Sequence, residues 1–192
     1  MTNKVFLAGV GMLPFATPGA SAHYDVMGAA AVTLALKDAG IDYAEVQEAY
    51  AGYVYGDSTC GQKALYKIGM TGIPIINVNN NCSTGSTALY LARQAVRSGM
   101  AGCVLAFGFE EMQRGALNSF WSDRPAAAGD FRTHAQELVG QPDLPGALRS
   151  FGGAGYAHMQ KYGTKMETFA RIRAKASQHA ARNPLAVFRN VV

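Results

Sequence analysis

Apolar residues fall in short runs punctuated by glycine. The run at 5–10 is closed by Gly11 and predicts a buried strand. Between 25 and 39, Val26, Met27, Ala30, Leu34 and Ala35 recur at helical spacing, and Gly40 follows as a stop. Positions 49–55 are rich in Tyr and Val and end at Gly56-Asp57, which predicts a second strand. A short helix is expected at 62–68 and a third strand at 74–78. The segment Thr84–Ser98 predicts a strong helix ended by Gly99. Its Ala88, Leu89, Leu91, Ala92, Ala95 and Val96 cover much of its circumference, so burial on several sides is expected. A fourth strand, apolar throughout, is expected at 103–109. Nearly all-apolar strands alternating with helices predict an α/β fold with a parallel sheet covered on both faces.

The texture changes after Glu110. Positions 111–150 mix Gly, Pro, Asp and Ala without period, which predicts a long functional loop or lid. Helices are expected at 155–162 and 165–181. The expected organisation is a core at 1–110 and a loop or lid domain at 111–192.

The chain has 192 residues, 49% apolar and 16% charged, which is enough for a sizeable core and too little charge for disorder. No apolar run approaches the ~18 residues of a membrane span. The start is too short and glycine-rich for a signal h-region, and three cysteines without a CxxC argue against a disulfide framework. A reducing, cytoplasmic location is therefore expected. The net charge of +4 is uneven. Residues 1–110 carry 6 Lys/Arg against 7 Asp/Glu, and residues 111–192 carry 11 against 6. That spread suits a phosphate-bearing small molecule. No dense basic cluster or binding motif suggests nucleic acid. Gly9-Val10-Gly11 lacks the third glycine of a dinucleotide loop, and Pro14 interrupts it. No HExxH or close ligand cluster predicts a metal.

The stretch Asn77-Val78-Asn79-Asn80-Asn81-Cys82-Ser83-Thr84-Gly85-Ser86 carries the chemistry. A strand ends, asparagines turn the chain, and Cys82 opens a helix. A thiol there meets the positive end of the helix dipole and free N–H groups, both of which favour thiolate. The same groups could hold an oxyanion. The plainer alternative is a buried cysteine acting as a small hydrophobe. Cys60, at the start of the short helix, is expected to be structural, and Cys103 to belong to the core.

The segment 77–89 resembles the nucleophile region of thiolases, in the sterol-carrier-protein-x branch. So do 52–62 (Gly-Tyr-Val-Tyr-Gly-Asp-Ser-Thr-Cys-Gly-Gln), 69–82, Gly108-Phe109-Glu110, and 158–165 (His-Met-Gln-Lys-Tyr-Gly-Thr-Lys). The resemblance runs in order along nearly the whole chain. It implies a thiolase-like fold: an incomplete N-terminal βαβαβ half with an inserted helical loop domain. It implies that Cys82 is the acyl-accepting nucleophile, that acyl-CoA and CoA are substrates, and that no cofactor is held. It makes Arg114, Arg124, Arg132 and Arg149 candidates for the CoA phosphates and Phe151 a candidate pocket wall. In the family a second half supplies a Gly-His-Pro histidine, a Cys-x-Gly cysteine and a His-Asp-Cys-Phe motif, and none occurs here. The implied activity is thiolytic cleavage of a 3-ketoacyl-CoA or the reverse condensation. Partners are then a second copy or a separately encoded C-terminal half. Two alternatives stand beside it. One is a thiolase-like retro-aldol lyase subunit of steroid side-chain degradation, against which the retained Cys82 tells. The other is a non-enzymatic fragment.

Overall fold

The computed structural model describes residues 4–113, 115, 121–140 and 146–191. Residues 1–116 form one compact unit and 117–192 another, and each is described by itself.

In the first unit β1 (Glu48–Gly52) is the middle strand, with β2 (Ile75–Val78) on one side and β3 (Val104–Gly108) on the other. Both pairings are parallel, with Gly52 opposite Val78 in β2 and Gly108 in β3. Alternation along β1 divides the core into two layers. Ala49 and Ala51 point into a cluster with Val32, Val46, Ala64, Leu65 and Phe107. Tyr50 points the other way, into Val78, Ala88, Ala92 and Ala95. The first cluster is closed by α1 (Tyr24–Ala39) and α2 (Cys60–Leu65), the second by α3 (Thr84–Ser98). The parallel sheet with helices on both faces is as expected.

The predicted stops work as predicted. Gly40 (φ 69°) and Gly99 (φ 80°) end α1 and α3 in the left-handed region that glycine enters freely. Their successors close the ends, Ile41 N–H donating to the Leu36 carbonyl and Met100 N–H to the Ala95 carbonyl.

Three expectations are corrected. Residues 5–10 form no strand. They run beside α1, where Val10 N–H donates to Asp38 Oδ2 at 2.9 Å and the backbone at Gly9 and Gly11 nestles against Ala31, Ala35 and Ala39. Their apolar side chains stay open, Phe6 at 81% and Leu7 at 73% exposure. An apolar run reports a tendency to be covered, not a ladder partner, and this run takes its contacts from a helix. Second, α3 is buried on one face only: Ala88, Ala92 and Ala95 pack on the sheet, while Leu89 and Tyr90 are more than half exposed. Third, the expected loop at 111–150 contains a helix.

That helix is α4 (Gly129–Val139), in the second unit, followed by α5 (Gly146–Tyr162) and α6 (Met166–Ala181). Asp130 sits in the first turn of α4, the favourable end for an acid. α5 starts earlier than expected and runs through Gly152, Gly153 and Gly155. An open groove on this unit is lined by Leu138, Tyr156, Ala157, Gln160 and Lys161. After α6 the chain is tied back by Ser177 Oγ, which donates to the Asn190 carbonyl at 3.0 Å. Among the described residues no helix is long and apolar enough to cross a membrane.

The tightest seam is between α2 and the sheet. A Cβ at Gly61 would overlap Ala51 Cβ and lie 2.6 Å from Asn77 Oδ1. Asn77 Oδ1 already accepts Gly61 N–H at 2.9 Å, its Nδ2 donates to Gln62 Oε1 at 2.7 Å, and Gln62 Nε2 donates to the Ile75 carbonyl. Gly61→Ala is expected to cost about 1–3 kcal/mol, the usual cost of overpacking. Urea unfolding of the purified chain reads this directly, and an unchanged midpoint would contradict the close packing.

Candidate functional site

Because the strands are parallel, the loops that follow them leave the sheet at one common edge, where ligands gather in open α/β sheets. After β2 the chain turns through Asn79, Asn80 and Asn81 into α3. Asn81 sits in the left-handed region, φ 46°, which Asn tolerates better than most residues. The turn is held from several sides. Thr84 Oγ1 donates to the Asn81 carbonyl at 2.6 Å and accepts Asn80 N–H at 2.8 Å. Ser83 Oγ donates to the Asn80 carbonyl at 2.8 Å, and Asn80 Nδ2 donates to Thr87 Oγ1. Thr84 is buried against Gly52, where a Cβ would meet its methyl at 3.0 Å.

Cys82 lies inside this braced turn, next to the Ser83 cap of α3, and is exposed. The alternative of a buried, inert Cys82 is thereby set aside. Cys60 is its opposite: 3% exposed, with its N–H on Tyr53 Oη at 3.3 Å. A hydrogen bond with the Cys60 thiol, reinforced by burial, pushes the Tyr24 phenol up to about 12. The Tyr24 and Tyr53 rings both lie against Phe109, with centroids 5.1 Å away in each case. Cys60 is thus packed into a tyrosine cluster, in keeping with a structural role. Cys103 is half-buried, and burial, helped by Glu45, pushes its thiol up.

The remaining loops at this edge are joined by Glu110, which the sequence flagged only as part of a resemblance. Its Oε2 accepts Val54 N–H and its Oε1 accepts Tyr55 N–H, both at 3.0 Å. Phe109 N–H donates to the Gly52 carbonyl at 3.2 Å, and Tyr53 Oη donates to the Asp57 carbonyl at 2.8 Å. Burial, the Glu110 carboxylate and the Cys82 thiol together push the Tyr55 phenol up. One residue further on, Glu111 binds the start of α1. Its Oε2 accepts Tyr24 N–H at 2.9 Å, and Oε1 lies 3.0 Å from His23 Nδ1. These bonds hold its carboxyl below the usual range.

The candidate CoA residues belong to the second unit or fall outside the described residues. Arg114 is among the latter. Arg124 forms a bidentate pair with Asp123, both bonds 2.8 Å, and its guanidinium lies 4.4 Å from the Trp121 ring centre. Its charge is matched locally. Arg132 is exposed on α4, Arg149 half-buried on α5, and Phe151 77% exposed on α5. Among the described residues no group of three or more His, Cys, Asp or Glu side chains is placed to hold a metal.

The contrast among the thiols has a direct readout. With iodoacetamide near neutral pH, Cys82 is expected to be alkylated at least tenfold faster than Cys60 or Cys103, because only the thiolate reacts and only Cys82 is open. A raised folded-state thiol means that Cys103 gains reactivity only as pH climbs beyond the usual cysteine range. Time-resolved peptide mass spectrometry follows all three sites, and equal rates would contradict this arrangement.

A family described as "Thiolase, N-terminal domain" matches residues 5–130. Human "Sterol carrier protein 2" is 50% identical over 194 residues, which cover 98% of this chain and 35% of that protein. "Non-specific lipid-transfer protein-like 2" of Caenorhabditis elegans is 40% identical over 96% of this chain and 46% of its own. "Benzoylsuccinyl-CoA thiolase subunit BbsB" of Thauera aromatica is 33% identical over 100% of this chain and 47% of its own. The chain thus spans between about a third and a half of the length of these relatives. Among solved structures, the "Ltp2-ChsH2(DUF35) aldolase" superposes with a TM-score of 0.68 over 96% of this chain and 46% of that one, at 18% identity. That likeness is one of fold. Fold, turn and family match agree, and the chain belongs to the thiolase N-terminal domain family.

Proposed function

We propose that this chain supplies the nucleophile of a thiolase-type acyl transfer. Cys82 Sγ attacks the carbonyl carbon of an acyl-CoA thioester. The bond from that carbon to the CoA sulfur breaks, the acyl group becomes a thioester on Cys82, and the departing CoA thiolate takes a proton. In thiolysis Cys82 Sγ instead attacks the 3-keto carbon of a 3-ketoacyl-CoA, the C2–C3 bond breaks, and the enolate of acetyl-CoA leaves and takes a proton. The thiol of a second CoA then attacks the acyl-Cys82 thioester, releasing the shortened acyl-CoA and returning the free thiol. Condensation is the reverse. The observation that carries this reading is the exposed Cys82 in a braced turn at the sheet edge, beside the N-terminus of α3. The N-terminal end of α3 suits the oxyanion of the tetrahedral intermediate.

The second unit is proposed as the loop domain over CoA. Arg132 is a better candidate there for its phosphates than Arg124, which is engaged by Asp123, and Arg149 stays a candidate on the resemblance alone. Arg114 and the pocket role of Phe151 stay as proposals on the resemblance alone. The retro-aldol alternative gains nothing from the likeness to the aldolase complex, which is one of fold, and Cys82 favours acyl transfer. A second copy or a C-terminal thiolase half is the proposed partner. The open apolar side chains Phe6, Leu7 and Leu89 suit coverage by protein. The three free cysteines suit a reducing compartment such as the cytoplasm.

A full cycle also needs a base for the nucleophile and an acid for the enolate. The Gly-His-Pro and Cys-x-Gly motifs expected to provide them are not in this sequence. General acid–base groups contribute about 10²–10⁴-fold each. The 192-residue chain is therefore expected to show no sustained turnover of acetoacetyl-CoA, while Cys82 is slowly and stoichiometrically acylated. Loss of enolate absorbance and intact-mass spectrometry report the two events. Sustained turnover that disappears in Cys82→Ala would overturn the need for a second half. Failure of Cys82 to take any acyl group would overturn the acyl-transfer reading.

A further inference from the structure

Between positions 161 and 189 there are seven Lys/Arg and a single acid, Glu167. Dispersed along the sequence, these cations make no dense cluster, but α6 gathers three of them. At 3.6 residues per turn, Arg171, Lys175 and Arg182 fall within about 40° around the helix axis, in a row about 17 Å long. All three are exposed, and His179 stands beside them. The opposite side of α6 faces inward. There Phe169 reaches Gly155 of α5, and Ser177, 3% exposed, is bonded to the Asn190 carbonyl. Arg171 and Lys175 are four residues apart, a spacing at which like charges repel. Among the described residues none of the three side chains makes an ion pair. Glu167 lies off the row in the first turn, where the helix dipole favours an acid. The row is therefore unfavourable for the helix by itself and is matched only by an anionic partner. It is not purely polar. Ile172 is 62% exposed beside Lys175, and Phe188, 77% exposed, lies on the strap that Ser177 holds against α6.

We propose that the outer face of α6 docks on an anionic phospholipid membrane. Arg171, Lys175 and Arg182 meet the headgroup phosphates, and Ile172 enters the boundary with the acyl chains. A convex helix face rich in Lys/Arg, with a bulky apolar side chain among them, matches a charged lipid interface, which accepts both kinds of group. A nucleic acid offers the phosphates but gives Ile172 nothing to enter, and base stacking needs aromatic side chains that this row lacks. The contact is peripheral, since no helix among the described residues is long and apolar enough to cross a membrane. The inference is independent of the chemistry of Cys82.

The test is cosedimentation of the 192-residue chain with two kinds of vesicle. One is phosphatidylcholine alone, and the other contains about 30 mol% of the anionic lipid phosphatidylserine. Binding is expected to the mixed vesicles only. It should fall steeply as the Debye length shrinks from about 10 Å at 0.1 M salt to about 3 Å at 1 M. Arg171→Gln, Lys175→Gln and Arg182→Gln are each expected to weaken partitioning about fivefold, and the triple variant about a hundredfold, the effect of about 1 kcal/mol per basic residue. Ile172→Ser is expected to weaken it about threefold without changing the salt dependence, through lost apolar burial. Arg171→Lys with Arg182→Lys should bind as the parent does, because the headgroups read charge. Thermal melting should not fall in any variant, since all four side chains are exposed. Equal binding to both kinds of vesicle would overturn the proposal, as would a triple variant within threefold of the parent. Tighter binding to a DNA duplex than to the mixed vesicles at the same salt would overturn it too. Displacement by CoA, at a concentration that leaves a basic lipid-binding control protein in place, would assign the row to substrate phosphates and sink the membrane reading.

Discussion

The first unit depends on how little side chain β1 carries. Ala49 and Ala51 let α2 come down until Gly61 touches the strand, while on the other face Gly52 leaves room for Thr84 and Tyr50 is received by the alanine face of α3. A close-packed interior tolerates no spare volume, so small on one side demands large on the other. Once α2 and α3 are fixed in this way, the strand ends and the loops that leave them have one place to go. The Asn77 side chain adds direction to the packing, tying β2 to the first turn of α2.

Much of this was legible in the sequence. Gly40 and Gly99 marked the helix ends, and the asparagine run followed by Cys82 and small residues marked the reactive turn. What escaped has a physical reason in each case. The apolar run at 5–10 read as a strand because composition reports hydrophobicity and says nothing about hydrogen-bond partners. α4 was hidden by the glycines and prolines around it, although Phe131, Ala135 and Leu138 share a helical face. α5 was shortened to 155–162 because its glycines weigh against a helix in isolation, a preference that tertiary context overrides. Glu110 and Tyr55 were visible only as letters in a motif. Their meeting joins positions 55 residues apart, and no local pattern announces such a contact.

The three cysteines show how one side chain acquires three characters from its surroundings. Cys103 sits just before β3, and burial pushes its thiol up. Cys60 is locked between tyrosines and contributes shape. Cys82 alone is offered to solvent, on a turn that uses asparagine and threonine side chains in place of backbone pairing. The arginines are a parallel case. Arg124 had the same standing in the sequence as Arg132, yet Asp123 and Trp121 occupy it.

The Glu110 clamp also bears on how the chain reaches its folded state. β1 and β2 are separated by one short helix, so they can pair early at small loop-closure cost. Glu110 must find Val54 across 56 residues, after β2, α3 and β3 have been made. The edge that carries Cys82 is therefore completed late. During synthesis the thiol emerges before the glutamate that ties down the loop beside it.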